Sequence, residues 1–221
     1  AKKMTCKFIY SCTGYFRYDK GYTPEFPGIE QFKGQVIHPQ KWPEDLDYKD
    51  KQVVVIGSGA TAITLVPAMA ETTRHVTMLQ RSPTYVVSRP DRDQWAIRLA
   101  KYLPAKLAYM IVRWRNVSLQ ALIFQFSRRR PEKLKAMLRK GTRAWLGLNF
   151  DIDTHFTPKY NPWDQRLCLV PNGDLFRSLR EGTSSVVTDQ IKTFTKTGIK
   201  LASGALLKAD IVVSATGLEL L

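Results

Sequence analysis

Acidic residues are scarce in this chain. Nineteen Asp and Glu stand against 34 Lys and Arg in 221 residues, a formal net charge of +15. Cysteine is scarcer still. Cys6, Cys12 and Cys168 form no C-x-x-C pair and, with only three histidines, no metal-ligand spacing. That excludes a disulfide framework, a structural zinc site and a dithiol reductase, and fits a reduced, cytoplasmic setting with no metal. No apolar run reaches the about 18 residues that span a bilayer. Nothing near Ala1 has the layout of a secretory signal, and there are no internal repeats or low-complexity tracts. The length suffices to bury a substantial core.

What is present starts with Val53-Val54-Val55-Ile56, four β-branched residues that fit a strand buried on both faces. The run stops on Gly57-Ser58-Gly59-Ala60-Thr61-Ala62. Small residues at 57, 59 and 62 give the G-x-G-x-x-A spacing that lets a backbone turn, approach a pyrophosphate and pack helix on strand. A helix from Ala60 to Ala70, kinked at Pro67, and a second strand, His75 to Leu79, complete a βαβ unit. The phosphate of a dinucleotide would rest on the free N–H groups at the helix start.

The end of the second strand selects the cofactor, because a carboxylate about 20 residues on binds a free ribose 2′-hydroxyl. Residue 81, which is 22 positions after Gly59, is arginine, between Gln80 and Ser82. An arginine with a hydroxyl beside it fits a 2′-phosphate, so NADPH is expected over NADH. The lesser alternative is that Arg81 is a solvated loop arginine.

Upstream, Lys7 to Tyr10 reads as a strand that exits through Cys12-Thr13-Gly14. The same grammar returns where Ala209 to Ser214 exits through Ala215-Thr216-Gly217. Between the first exit and the nucleotide unit lie a turn-rich link, Tyr22 to Gly28, and the stretch from Phe32 to Pro43. That stretch holds His38 and Trp42 stiffened by prolines. Taken alone, His38 is more often structural than catalytic.

Phe32, Gly34, His38, Trp42 and Pro43 match the FxGxxxHxxxW(P/D) fingerprint of type I Baeyer–Villiger monooxygenases, in the class B flavoprotein monooxygenases. The chain resembles that family over nearly its whole length. It is most similar to the ethionamide-activating subgroup, with which it shares Asn161-Pro162-Trp163-Asp164-Gln165-Arg166. The resemblance implies an enzyme in which NADPH reduces FAD. The reduced flavin then takes O2 to a C4a-peroxide that attacks a ketone, thioether or thioamide. His38 would sit in the hinge between domains. Arg166 would be the catalytic arginine that stabilises the anionic peroxyflavin, where the residues alone would make it a salt-bridged structural arginine. Gln165 stands where many relatives carry a lysine for the 2′-phosphate, which leaves Arg81 and Ser82 as the cofactor's main anchors. An N- or S-oxygenating flavin-containing monooxygenase and a non-catalytic NADPH-binding module are the alternatives. Trp42 argues against the first, since those relatives carry another aromatic there.

The departure from the family is a missing second G-x-G-x-x-G, the turn that would hold FAD. The expectation is therefore an excised internal piece that does not turn over by itself. The expected fold class is α/β: a Rossmann-like NADP-binding domain, a parallel sheet with flanking helices, carrying a helical insertion and frayed segments of an FAD domain. Residues 1–50 would be FAD-domain strand and linker. Residues 51–90 and 151–208 would be the two parts of the NADPH domain, 91–150 the insertion, and 209–221 a crossing back to the FAD domain.

In the insertion, Trp95, Leu99, Leu103, Leu107, Met110 and Ile111 recur at threes and fours, predicting amphipathic helices broken at Pro104 and Pro131. Residues 98–143 contain thirteen Lys or Arg and a single acid, Glu132. Two readings of this charge stay open. It is either a solvated basic face whose neutralising partners lie in the rest of the enzyme or in a partner subunit or, given Trp95, Tyr109, Trp114, Phe124 and Phe126 interleaved with the cations, a peripheral contact with an anionic membrane. Nucleic acid is set aside because no reading motif accompanies the charge. After the insertion, Leu167 to Val170 reads as a strand and Asp174 as the cap of a short helix. Val186 to Ala202 reads as short strands that complete the sheet or form a β-meander.

Overall fold

Val53 to Ile56 lie at the centre of a parallel five-stranded sheet, and the alternation of their side chains explains why all four are apolar. The computed structural model describes residues 3–220. In chain order they form β1 (Phe16–Gly21), β2 (Gln35–Ile37), β3 (Gln52–Ile56), α1 (Ala60–Ala70), β4 (His75–Gln80), β5 (Tyr85–Arg89), α2 (Gln94–Tyr102), α3 (Ala105–Arg129) and α4 (Pro131–Leu146). There follow α5 (Ile152–Phe156), β6 (Leu167–Pro171), α6 (Asp174–Glu181), β7 (Ser184–Thr188), β8 (Ile191–Thr195), β9 (Gly198–Leu201), β10 (Leu206–Lys208), β11 (Ile211–Ser214) and β12 (Leu218–Leu220).

The parallel sheet runs β2-β11-β3-β4-β7. Val53 and Val55 face one side, where they pack with Ala62, Ile63 and Val66 of α1 and Leu175 and Leu179 of α6. Val54 and Ile56 face the other, against Phe194, Ile199 and Leu201. Each such side chain, fully buried, stabilises the fold by roughly 1.5–3 kcal/mol. Helices thus flank one face only. The other is covered by the antiparallel meander β10-β9-β8 and by Phe32 from the fingerprint.

The sequence is corrected at four places. Lys7 to Tyr10 is not a strand: Phe8, Ile9 and Tyr10 are exposed, and among the described residues no strand bonds to this run. The antiparallel pair in this region is instead β1 with β12. The division expected at residue 209 cuts across the sheet, because β11 is bonded on both sides, to β2 and to β3. Asp174 is the first residue of α6 and not its cap. Gly173, in the left-handed conformation, holds the cap position. The apolar stripe of the insertion does not face a core: α2 has no buried residue, and Leu107, Met110 and Ile111 of α3 are exposed. The helix breaks fall where prolines place them, with Pro104 capping α3 and Pro131 opening α4.

Candidate functional site: a crevice at the carboxyl ends of the parallel strands

From β3 the chain moves outward to β4 and β7 and only later returns to β11 on the opposite side. That reversal of strand order is the switch point at which open α/β sheets bind ligands. A crevice of about 770 Å³ opens there, lined by residues at the ends of β3, β4, β7 and β11 and closed on one wall by Tyr22 to Pro27.

Its floor is the glycine turn. Gly57 has φ +136°, and a Cβ there would come within 2.5 Å of the Ala215 carbonyl oxygen, so the ends of β3 and β11 approach as closely as only glycine permits. Gly59 caps α1 without a side-chain hydrogen bond, and the first internal bond runs from the Ile63 N–H to the Gly59 carbonyl at 3.1 Å. The N–H groups of Ala60, Thr61 and Ala62 are therefore left for a ligand. Ala62 is fully buried against the sheet, in keeping with the third small position of the motif.

Arg81 and Ser82 stand at the end of β4 and line the crevice. Among the described residues no carboxylate lies within ion-pair distance of Arg81. Two acids line the same crevice, Glu25 and Asp189. The Asp189 carboxylate accepts from the Gln190 N–H at 2.7 Å and the Ser203 N–H at 3.2 Å. Its pKa is held down by the Ser203 hydrogen bond and then by that of Gln190. It closes a turn and is not set out as a ribose acceptor. Gln80 takes no part in the crevice: it is buried and donates from Nε2 to the His155 carbonyl and to Thr188 Oγ1, both at 2.8 Å. Although it stands at the end of β4, its side chain points into the packed joint between β4, α5 and β7. Gln165 is exposed in a turn and does not line the crevice.

Arg166 does line it, with no carboxylate partner among the described residues. The salt-bridged alternative is therefore not what the structure holds. Its Nε–H donates to Thr84 Oγ1 and its Nη2 to Ser58 Oγ, both at 3.0 Å. Ser58 and Thr84 are buried and 3.0 Å apart. Thr84 carried no signal of its own in the sequence. It precedes β5 as Arg166 precedes β6, and the parallel register Tyr85 with Leu167 sets the two face to face. Only that pairing, which a linear reading does not contain, could have found it.

The fingerprint residues form a joint outside the crevice. The Gln40 N–H donates to His38 Nδ1 at 3.2 Å, which leaves the hydrogen on Nε2 to donate to the Gly217 carbonyl at 2.9 Å. His38 thereby ties the segment after β2 to the segment after β11. A Cβ on Gly34 would lie 2.2 Å from the Asp210 carbonyl oxygen. Phe32 meets Phe194 edge-on at 5.8 Å, and Trp42 meets Tyr48 at 6.2 Å. Pro43 accepts from the Leu46 N–H at 3.4 Å. None of these contacts reaches the glycine turn. No cluster of three potential metal ligands occurs among the described residues.

Sheet order, glycine turn and crevice together define a Rossmann-like α/β domain, with helices on one face of its parallel sheet and a β-meander on the other. The chain belongs to the flavin-binding monooxygenase-like family, whose model matches residues 2–144. It is 56% identical over 218 residues to the FAD-containing monooxygenase EthA of Mycobacterium tuberculosis (strain H37Rv), a match covering 98% of this chain and 45% of that protein. It is 56% identical over 222 residues to the probable FAD-binding monooxygenase AlmA of Acinetobacter baylyi, covering 99% and 44%. The chain thus spans less than half the length of these curated relatives. Among solved structures, OTEMO in complex with FAD and NADP superposes with a TM-score of 0.72 at 20% identity, over 96% of this chain and 47% of that one. Oxidized steroid monooxygenase bound to NADP gives 0.68 at 20% identity, over 90% and 45%. At that identity these two show the fold.

Proposed function

We propose that this chain is the NADPH-binding part of an FAD-dependent monooxygenase that inserts one oxygen of O2 into a ketone or oxidises the sulfur of a thioether or thioamide. The observation that carries the reading is Arg81, a cation without an acid partner among the described residues, at the strand end where a cofactor declares its ribose. Arg81 and Ser82 hold the 2′-phosphate, and the Ala60, Thr61 and Ala62 amides receive the pyrophosphate. Bound NADPH supplies a hydride. The relatives' names support FAD as the partner cofactor. The sequence contains one glycine turn, which this reading gives to NADPH, so no flavin-binding role is assigned to residues of this chain. Trp42 favours the Baeyer–Villiger type over the N- or S-oxygenating type, and Arg166 is the residue to test for oxygen transfer. A cytoplasmic setting, with peripheral contact to anionic lipid through residues 98–143, belongs to the same reading.

The test has two stages. This chain should bind NADPH more tightly than NADH in a fluorescence titration, and equal affinities would remove the 2′-phosphate site. The natural polypeptide that contains this sequence should then convert a cyclic ketone to a lactone, or a thioether to a sulfoxide, with NADPH and O2. Intact NADPH binding without any oxygenated product would leave a binding module and refute the oxygenase.

A further inference from the structure

Resting on that NADPH reading, we infer that Arg166 clasps the cofactor's pyrophosphate over the glycine turn, and that Thr84 is the positioning residue that holds it there. Arg166 Nη1 lies 3.9 Å from the point a Cβ would occupy on Gly59, the residue that caps α1. The guanidinium thus stands above the same free amides that make the turn an anion site. Two of its five N–H groups are engaged, one by Thr84 Oγ1 and one by Ser58 Oγ. The rest have no hydrogen-bond partner among the described residues, and no carboxylate neutralises the charge. A cation built into a crevice wall by two buried hydroxyls, with donors to spare and beside a helix start, is a receptor for a dianion.

The hydroxyls run in one direction. Ser58 Oγ–H donates to the Ser82 carbonyl at 3.3 Å, so the hydrogen between Ser58 and Thr84 belongs to Thr84. Thr84 thus accepts from Arg166 and donates to Ser58, and Ser58 accepts from both and ends the relay on the backbone beside Arg81. Tyr160 Oη–H fixes the backbone from the other side through the Arg166 carbonyl at 2.9 Å, and Tyr85 Oη–H holds the Tyr160 carbonyl at 3.0 Å.

The pyrophosphate is common to NADPH and NADH, whereas 2′-AMP keeps the 2′-phosphate and has no phosphate on its 5′-oxygen. Titrating all three ligands therefore separates the clasp from the 2′-phosphate site. Arg166→Ala should weaken NADPH and NADH by the same factor, about tenfold to a hundredfold, and leave 2′-AMP unchanged. Thr84→Val should weaken both dinucleotides about threefold to tenfold, and Thr84→Ser should restore them. Retained binding of 2′-AMP certifies that each variant is folded. Wild-type dinucleotide affinity in Arg166→Ala, or failure of Thr84→Ser to rescue Thr84→Val, overturns the clasp. A wild-type chain that binds none of the three ligands would instead refute the NADPH reading itself.

Discussion

Arg81 and Gln80 are adjacent in sequence and opposite in fate, and the difference is which way a strand end turns its side chains. Alternation sends Gln80 into the joint with Thr188 and the His155 carbonyl, whereas Arg81, one residue past the strand, is exposed at the crevice. Arg81→Ala should therefore weaken NADPH by roughly 2–3 kcal/mol of charge-assisted hydrogen bonding while barely changing NADH. Isothermal titration with the two cofactors decides this, and equal losses contradict the assignment. Gln80→Ala should leave the cofactor preference unchanged and lower the melting temperature, because a buried carbonyl and hydroxyl lose their donor. The glycine turn was legible because its chemistry is local: spacing alone carries it. The place of Arg81 at the crevice was legible because its distance from the turn is fixed by the length of one helix and one strand. Thr84 was not, since its meaning lies in a register between segments more than eighty residues apart.

At the scale of elements, the joint of α5 with β4 and β7 gives a pH dependence that can be signed. His155 is partly buried, its Nδ1 is 2.8 Å from Thr188 Oγ1, and burial lowers its pKa from the ordinary 6.5 while Asp151 pulls weakly the other way. The unfolded chain then takes the proton more readily than the folded one. The contribution of this ring is present above about pH 6.5 and is lost as pH falls below it, with a slope of at most about 1.4 kcal/mol per pH unit. Comparing urea midpoints of wild type and His155→Asn at pH 7.5 and 5.5 should show the larger drop in wild type. Equal drops would mean that the ring does not titrate against folding. The fingerprint is an element-scale device of another kind: Gly34→Ala forces a Cβ onto the Asp210 carbonyl and should cost about 2 kcal/mol or more by pushing β2 from β11. Helix breaks at prolines and strands at β-branched runs were readable, because each rests on the residue's own backbone preference. The meander's place over the second face was not. Phe194, Ile199 and Leu201 read as ordinary strand residues until the face they cover is known.

For the whole molecule, the question is what covers α3, whose periodicity implied a buried stripe that the fold does not bury. Leu107, Met110, Trp114, Val117, Ala121 and Phe124 are separated alternately by three and four residues and all are exposed, Trp114 by 64%. Five of the thirteen cations between 98 and 143 have acid partners: Arg115 with Asp93, Arg128 with Asp164, Lys135 with Glu132, and Arg139 and Arg143 with Asp153. The other eight have none among the described residues. A second copy of this face would bring like charge against like charge, whereas an anionic bilayer surface attracts each cation by about 1 kcal/mol and accepts Trp and Tyr at its interface. No helix among the described residues is long and apolar enough to cross a membrane, and the proposed contact is one in the plane of the surface. Vesicles containing phosphatidylserine should sediment with the chain at low salt and release it as ionic strength rises and the Debye length shrinks from about 30 Å to 10 Å. Phosphatidylcholine vesicles should not bind. Trp114→Glu with Leu122→Glu should abolish binding without lowering the melting temperature, since both side chains are exposed. Salt-independent binding, or a dimer in sedimentation that the same substitutions dissolve, would give the stripe to a different occupant and overturn the lipid assignment.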